Sequence, residues 1–261
     1  MTETTLARPL IEIRDLKLPP WWLLIVYLVG AVVLMQGLLI LGREPARWIW
    51  MHGPADWKDR PWIFVTIAIL FQAIIGFIAV VVMKRLLPQA DAYVRWPPGK
   101  SYVGLGLLIG FAMALIMLVA DYWPQLLSHT AIHDYPTDPV NASGWLFALG
   151  ITGFAEEPIF RGLLVGALAF LIPGRIRIGA LDLPAAAYIV ALLFGAAHYD
   201  SFLVSPLYLA TAQLIYAFIW GLAYVWLMER SKSLLAPIIA HGVSDAAEVG
   251  AVIAIAILWG G

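Results

Sequence analysis

Two adjacent carboxylates, Glu156 and Glu157, stand inside an apolar run from Trp145 to Ile172, and Arg161 follows four residues after the second. A carboxylate at the centre of a bilayer costs roughly 2.5–3.5 kcal/mol on insertion scales, and ionising two neighbours adds like-charge repulsion. A Glu and an Arg four residues further along a helix meet with favourable orientation. Arg161 therefore balances Glu157 and leaves Glu156 without an obvious partner. An ion pair pinning two helices would account for Glu157 and Arg161 alone; a second carboxylate in the same span points to intramembrane chemistry or transport. Two later apolar runs carry their own polar groups, Phe194 with His198, and His241 with Asp245, with Glu248 further along. His241 and Asp245 share one helical face. Each could be a hydrogen-bonded packing group. Together, Glu156, His198, His241 and Asp245 in one buried cavity could activate a water molecule for attack on a carbonyl.

A membrane bundle is what must position them. The chain has 261 residues, 62% hydrophobic and 13% charged, with a mean hydropathy of +0.86, far from a soluble domain. A net charge of −1 suggests no nucleic-acid partner. The absence of cysteine excludes disulfides, thiolate metal sites and a Cys nucleophile. The sequence predicts an all-α polytopic transmembrane helix bundle of about seven spans (six to eight), at 21–41, 62–83, 103–120, 145–172, 184–204, 206–228 and 234–259. Residues 1–20 form a polar, interfacial N-terminal arm stopped by Pro19 and Pro20, with no apolar core of a cleavable signal peptide. Residues 21–140 hold three spans and residues 141–261 the four that carry the chemistry.

Pro158 should bend or break the fourth span beside the glutamates, which is tolerated where the break lines a water-accessible cavity. At ~1.5 Å per residue, Glu156, His198 and His241 each lie at least ~8 Å inside their span ends. With the N-terminus inside, 11 Lys and Arg fall on the cytoplasmic side and 4 on the other. That asymmetry predicts a cytoplasmic N-terminus in a plasma (inner) membrane. His129 and His133, four apart in a Pro-rich loop, are a weaker metal candidate.

The three elements Glu156-Glu157-xxx-Arg161, Phe194-xxx-His198 and His241-xxx-Asp245 resemble the three motifs of the CAAX protease and bacteriocin-processing family of intramembrane endopeptidases. The resemblance covers roughly residues 140–250, including Phe160-Arg161-Gly162. It implies hydrolysis of a peptide or protein substrate in or at the lipid bilayer. Glu156, helped by His198, would activate water, and Glu157 with Arg161 would brace the broken helix. His241 and the residue at 245 would stabilise the oxyanion. The family usually has Asn at that last position, and an ionised Asp cannot donate a hydrogen bond. Glu156, His198, His241 and Asp245 also form an N/O ligand set of the kind zinc takes, and whether zinc is a cofactor stays open at this point.

Other intramembrane chemistries fit less well. No His-Glu-x-x-His zinc motif and no Gly-x-Ser-Gly serine motif is present. A proton-coupled transporter would use similar residues, but paired broken helices in two halves are its usual mark, and here the polar residues cluster in the C-terminal half. A non-catalytic relative that binds a membrane partner is the third reading.

Overall fold

The computed structural model describes residues 9–260; residues 1–8 of the expected polar arm lie outside the described residues. Apolar runs of bilayer length have one open solution in lipid, the helix, which satisfies its own backbone. The chain forms α1 (Trp21–His52), α2 (Pro61–Leu86) and α3 (Val103–Ser128), then a broken column. That column comprises α4 (Pro139–Gly150), α5 (Thr152–Glu157), a π-helical segment (Pro158–Val165) and α6 (Gly166–Leu171). There follow α7 (Ala185–Ala196), a short α8 (Ser201–Val204), α9 (Leu207–Ser231) and α10 (Leu235–Trp259). Among the described residues, six columns are long and apolar enough to cross a membrane, and the broken one is the seventh. Proline marks many of the starts: α2 and α4 begin on Pro61 and Pro139, and Pro20, Pro184 and Pro206 precede α1, α7 and α9. Fixed φ and a missing N–H cost nothing at such positions.

The structure departs from the expected spans in three places. The first helix continues past residue 41 to His52 and carries Arg43, Glu44 and Arg47 beyond the apolar stretch. The third runs on to Ser128 with a kink at Tyr122, two residues before Pro124. In the fourth column the break falls at Ile151 (φ −105°, ψ 4°) rather than at Pro158. Pro158 keeps helical angles and opens the π-helical segment, whose wider turn absorbs the proline and leaves the column continuous.

A small sheet was not anticipated by an all-α reading. β1 (Ile11–Arg14), from the arm, pairs antiparallel with β2 (Arg175–Ile178), which pairs with β3 (Leu181–Pro184). Glu12 lies opposite Arg177 and ion-pairs with it at 2.8 Å. Arg14 and Arg175 both bond Asp182. Burial would raise the Asp182 carboxyl, but the two guanidinium partners outweigh it and hold it below the usual carboxylate range. Arg175 also reaches Glu229 at 2.9 Å, and the Tyr93 hydroxyl donates to Glu229. The Leu234 amide donates to the Tyr93 carbonyl at 3.0 Å. Arm, 87–102 loop, β2–β3 hairpin and α9–α10 turn are thus tied together on one face, the face on which the basic residues were expected to collect.

Close helix crossings rest on glycine. A Cβ at Gly106 would lie 2.9 Å from the Ala236 carbonyl oxygen, and one at Gly110 would lie 2.6 Å from that of Ala240. This small-xxx-small face lets α3 pack directly on α10. Gly37 in α1 has nothing within 4 Å of the same position. Gly110→Ala should therefore lower stability by about 1–3 kcal/mol through overpacking. Gly37→Ala should be neutral or slightly stabilising. Thermal unfolding of both variants in detergent checks this, and equal midpoints would remove the crossing from the account.

Candidate active site

The π-helical segment and α5 deliver Glu157 and Arg161 into the driest part of the bundle, where they are 0% and 1% exposed. Arg161 Nη1 lies 3.2 Å from Glu157 Oε1, the expected pair. Among the described residues, no nitrogen of the guanidinium has a conventional hydrogen-bond partner. Its other neighbours are aromatic faces: Phe194 at 4.3 Å, Tyr224 at 5.0 Å and Phe160 at 5.7 Å. Desolvated cation–π contacts are each worth up to ~2 kcal/mol, so the rings replace part of the hydration that burial removes.

The same carboxylate oxygen holds a second partner. His241 Nδ1 lies 2.8 Å from Glu157 Oε1 and donates to it. Sequence spacing gave no sign of this bond, because the residues are 84 apart and on different columns. It fixes the ring so that Nε2 faces Glu156 Oε2 at 3.8 Å and Asp245 Oδ2 at 3.6 Å. Tyr224 stacks on the ring at 5.0 Å and 13° between planes, and Phe194 meets it edge-on at 5.8 Å.

His198 is set by its own turn. Its Nδ1 donates to the Phe194 carbonyl oxygen at 2.8 Å, which in the neutral ring leaves the Nε2 lone pair free. Phe194 also stands edge-on to the His198 ring at 5.3 Å. One phenylalanine therefore spaces both histidines and covers Arg161. Asp245 accepts from Thr152 Oγ1 at 2.6 Å and from Ser244 Oγ at 3.2 Å. Thr152 has one proton for two acceptors, the other being the Leu149 carbonyl at 2.8 Å. Ser244 also bonds the His241 carbonyl and the Tyr224 hydroxyl, at 2.7 and 3.2 Å.

Glu156, Phe194, His198, His241 and Asp245 all line one cavity of about 190 Å³, which Glu248 and Tyr224 also line. Glu157 and Arg161 sit behind it. The side chains of Glu156 and Asp245 keep 26% and 25% exposure, so the glutamate that Arg161 does not balance faces open space, and Asp245 faces it too. Sequence reasoning missed Thr152, Ser244 and Tyr224. The first two neighbour motif residues in sequence, but Tyr224 lies on a separate apolar helix where nothing distinguishes it from a lipid-facing or core tyrosine.

The residue types suit zinc, but their placement does not fit it as it stands. Among the described residues, no group of three or more His, Asp or Glu side chains is arranged to hold a metal ion. His129 rests instead against Trp259, ring centroids 5.2 Å apart.

Residues 139–247 match the family model described as Type II CAAX prenyl endopeptidase Rce1-like, a stretch that contains all three motifs. No curated protein and no solved structure matches the chain. That segment is similar to the Rce1-like type II CAAX prenyl endopeptidases, and it lies in a chain whose described residues include six helices long and apolar enough to cross a membrane.

The two glutamates differ in what their loss should do. Arg161→Ala leaves Glu157 buried against one remaining partner, and breaking a buried pair costs about 3–5 kcal/mol. Folded protein in membranes should fall sharply. Glu156→Gln keeps shape beside the cavity and should leave abundance intact. Quantifying both variants in membranes checks the division of labour, and equal losses would contradict it.

Proposed function

We propose that this chain is an intramembrane endopeptidase that hydrolyses a peptide bond of a membrane-associated peptide or protein, using water activated by Glu156 and His198. The observation that carries the reading is the contrast between the two glutamates. Glu157 is committed to Arg161 and His241, whereas Glu156 faces the cavity with His241 Nε2 at 3.8 Å. Ionisable groups inside membrane spans are expensive, rare and characteristic of functional sites.

In the proposed reaction, water in the cavity attacks the scissile carbonyl carbon while Glu156 takes its proton. His198 Nε2, an acceptor in the tautomer fixed by the Phe194 carbonyl, holds the water's second hydrogen. His241, carrying a proton on each ring nitrogen, keeps Nδ1–H on Glu157 and donates Nε2–H to the oxyanion. Collapse of the tetrahedral intermediate breaks the C–N bond, and Glu156 returns its proton to the leaving nitrogen. Arg161 and its aromatic neighbours hold Glu157, and through it the His241 ring, in place. In the cell we place the N-terminus and the basic loops on the cytoplasmic side of the plasma membrane.

Asp245, where the family usually has Asn, takes a positioning role in this reading. An amide at that position could donate to Thr152 Oγ1, whose own proton would turn to the Leu149 carbonyl. Asp245→Asn should keep activity within about tenfold of wild type, and Glu156→Gln should abolish it. The experiment is quantitative membrane proteomics of cells carrying wild type or Glu156→Gln, followed by cleavage of the accumulating precursor by purified protein with and without a strong zinc chelator. No precursor accumulating with Glu156→Gln would sink the protease reading. A dead Asp245→Asn enzyme, beside a wild type that chelator inactivates and zinc restores, would replace it with a metalloprotease.

A further inference from the structure

The site cavity is closed on one side and open on the other. Toward the face that carries the sheet and the basic loops, Phe160, Leu164, Tyr224, Leu227, Met228 and Ala240 are each 2% exposed or less. They belong to one continuous apolar cluster to which α1, α2, α3, the 87–102 loop, the fourth column, α7, α9 and α10 contribute. Interiors packed in this way hold few voids larger than a water molecule. The 87–102 loop covers the start of α10, through the bond from the Leu234 amide to the Tyr93 carbonyl.

Toward the other face the packing gives way to space. A second cavity, of about 360 Å³, is lined by Asp134 and Ser205 among others. Asp134 lies in the α3–α4 connection and Ser205 in the α8–α9 connection. Both connections are on the face opposite the sheet, because α3 and α7 start at the sheet face and end at the other. The two cavities share Tyr135, Gln213, Tyr216 and Glu248 in their walls. They therefore abut, and in sequence they step from Ser205 at the surface through Gln213 to Glu156 and His241 in the interior.

From this continuity we propose that the scissile segment reaches Glu156 from the membrane face opposite the basic loops, through the second cavity. With the basic loops cytoplasmic, the substrate is then a peptide presented on the outer face, an exported or membrane-spanning chain rather than a cytosolic tail. The inference rests on the protease reading for its substrate and on the two cavities for its route.

The chain contains no cysteine, so single thiols can report the route directly. Glu156→Cys places a thiol in the inner cavity, Ser205→Cys one in the outer cavity, and Val94→Cys one beside the basic face. Each is exposed to a small, charged, membrane-impermeant thiosulfonate reagent in right-side-out and in inside-out vesicles. Glu156→Cys and Ser205→Cys should react in right-side-out vesicles only, and Val94→Cys in inside-out vesicles only. Glu156→Cys reacting from the same side as Val94→Cys would overturn the route, as would its failure to react where Ser205→Cys does. A bulky impermeant maleimide on Ser205→Cys should block processing of the precursor that accumulates with Glu156→Gln, measured against the same variant before modification. The same adduct on Val94→Cys should not, and the reverse pattern would place access on the basic face. If Glu156→Cys labels from the outside but no precursor accumulates with Glu156→Gln, the route stands and the protease reading fails.

Discussion

One carboxylate oxygen holds the centre of this molecule. Glu157 Oε1 contacts the Arg161 guanidinium at 3.2 Å and the His241 Nδ1 at 2.8 Å, in surroundings where Glu157 is 0% exposed. A charge in that position is costly unless paired and hydrogen-bonded, and each of its partners comes from a different constraint. Arg161 arrives through helical spacing on the same column. His241 arrives through the packing of α10, which requires Gly153 and Gly242 at the crossing, where any Cβ would strike the backbone of the facing helix. The ion contact therefore ties the local geometry of the π-helical segment to the register of α10. Loosening either would misplace the His241 ring and with it the cavity wall.

The π-helical segment is part of the same constraint. An α-helix continuing through Pro158 would lose a backbone bond and meet a clash with the carbonyl four residues before. The π-turn keeps helical angles at Pro158, φ −59° and ψ −39°, and carries all eight residues of the segment into buried positions. Such turns recur at functional sites because they rotate side chains off the regular helical path. Here the rotation puts Arg161 among three aromatic rings, while Glu156 just before the segment is left facing open space.

Much of this was legible in the sequence because lipid makes polar residues informative. Glu156, Glu157, His198, His241 and Asp245 stood out as ionisable groups in apolar runs, and the structure brings them around or behind one cavity. The helical spacing of Glu157 and Arg161 predicted their contact correctly. What the sequence concealed were relations between columns. Periodicity says which face a residue occupies on its own helix and nothing about the facing helix, so the Glu157–His241 bond and the stacking of Tyr224 were invisible. The hairpin was concealed differently. Arg175-Ile176-Arg177-Ile178 alternates with period two ahead of Gly179, at φ +59°, which is a strand-and-turn pattern. Ile11 and Ile13 alternate in the same way in the arm. These short runs lose their signal beside seven long apolar segments.

The placement of the cavity follows from opposing demands on the same few residues. Glu157 and Arg161 are held best where water is absent, because a low dielectric strengthens each contact they make. The proposed hydrolysis needs water at Glu156, one residue away. A site at the boundary of the dry cluster meets both demands: the backbone turns about 100° per residue on a helix, so consecutive glutamates face opposite environments. His241 lies across that boundary, with Nδ1 on the dry carboxylate and Nε2 toward the wet one. A single ring thus transmits the order of the packed half to the open half. What allows two adjacent glutamates to do different work is this local boundary, with packed side chains around Glu157 and Arg161 and a cavity in front of Glu156.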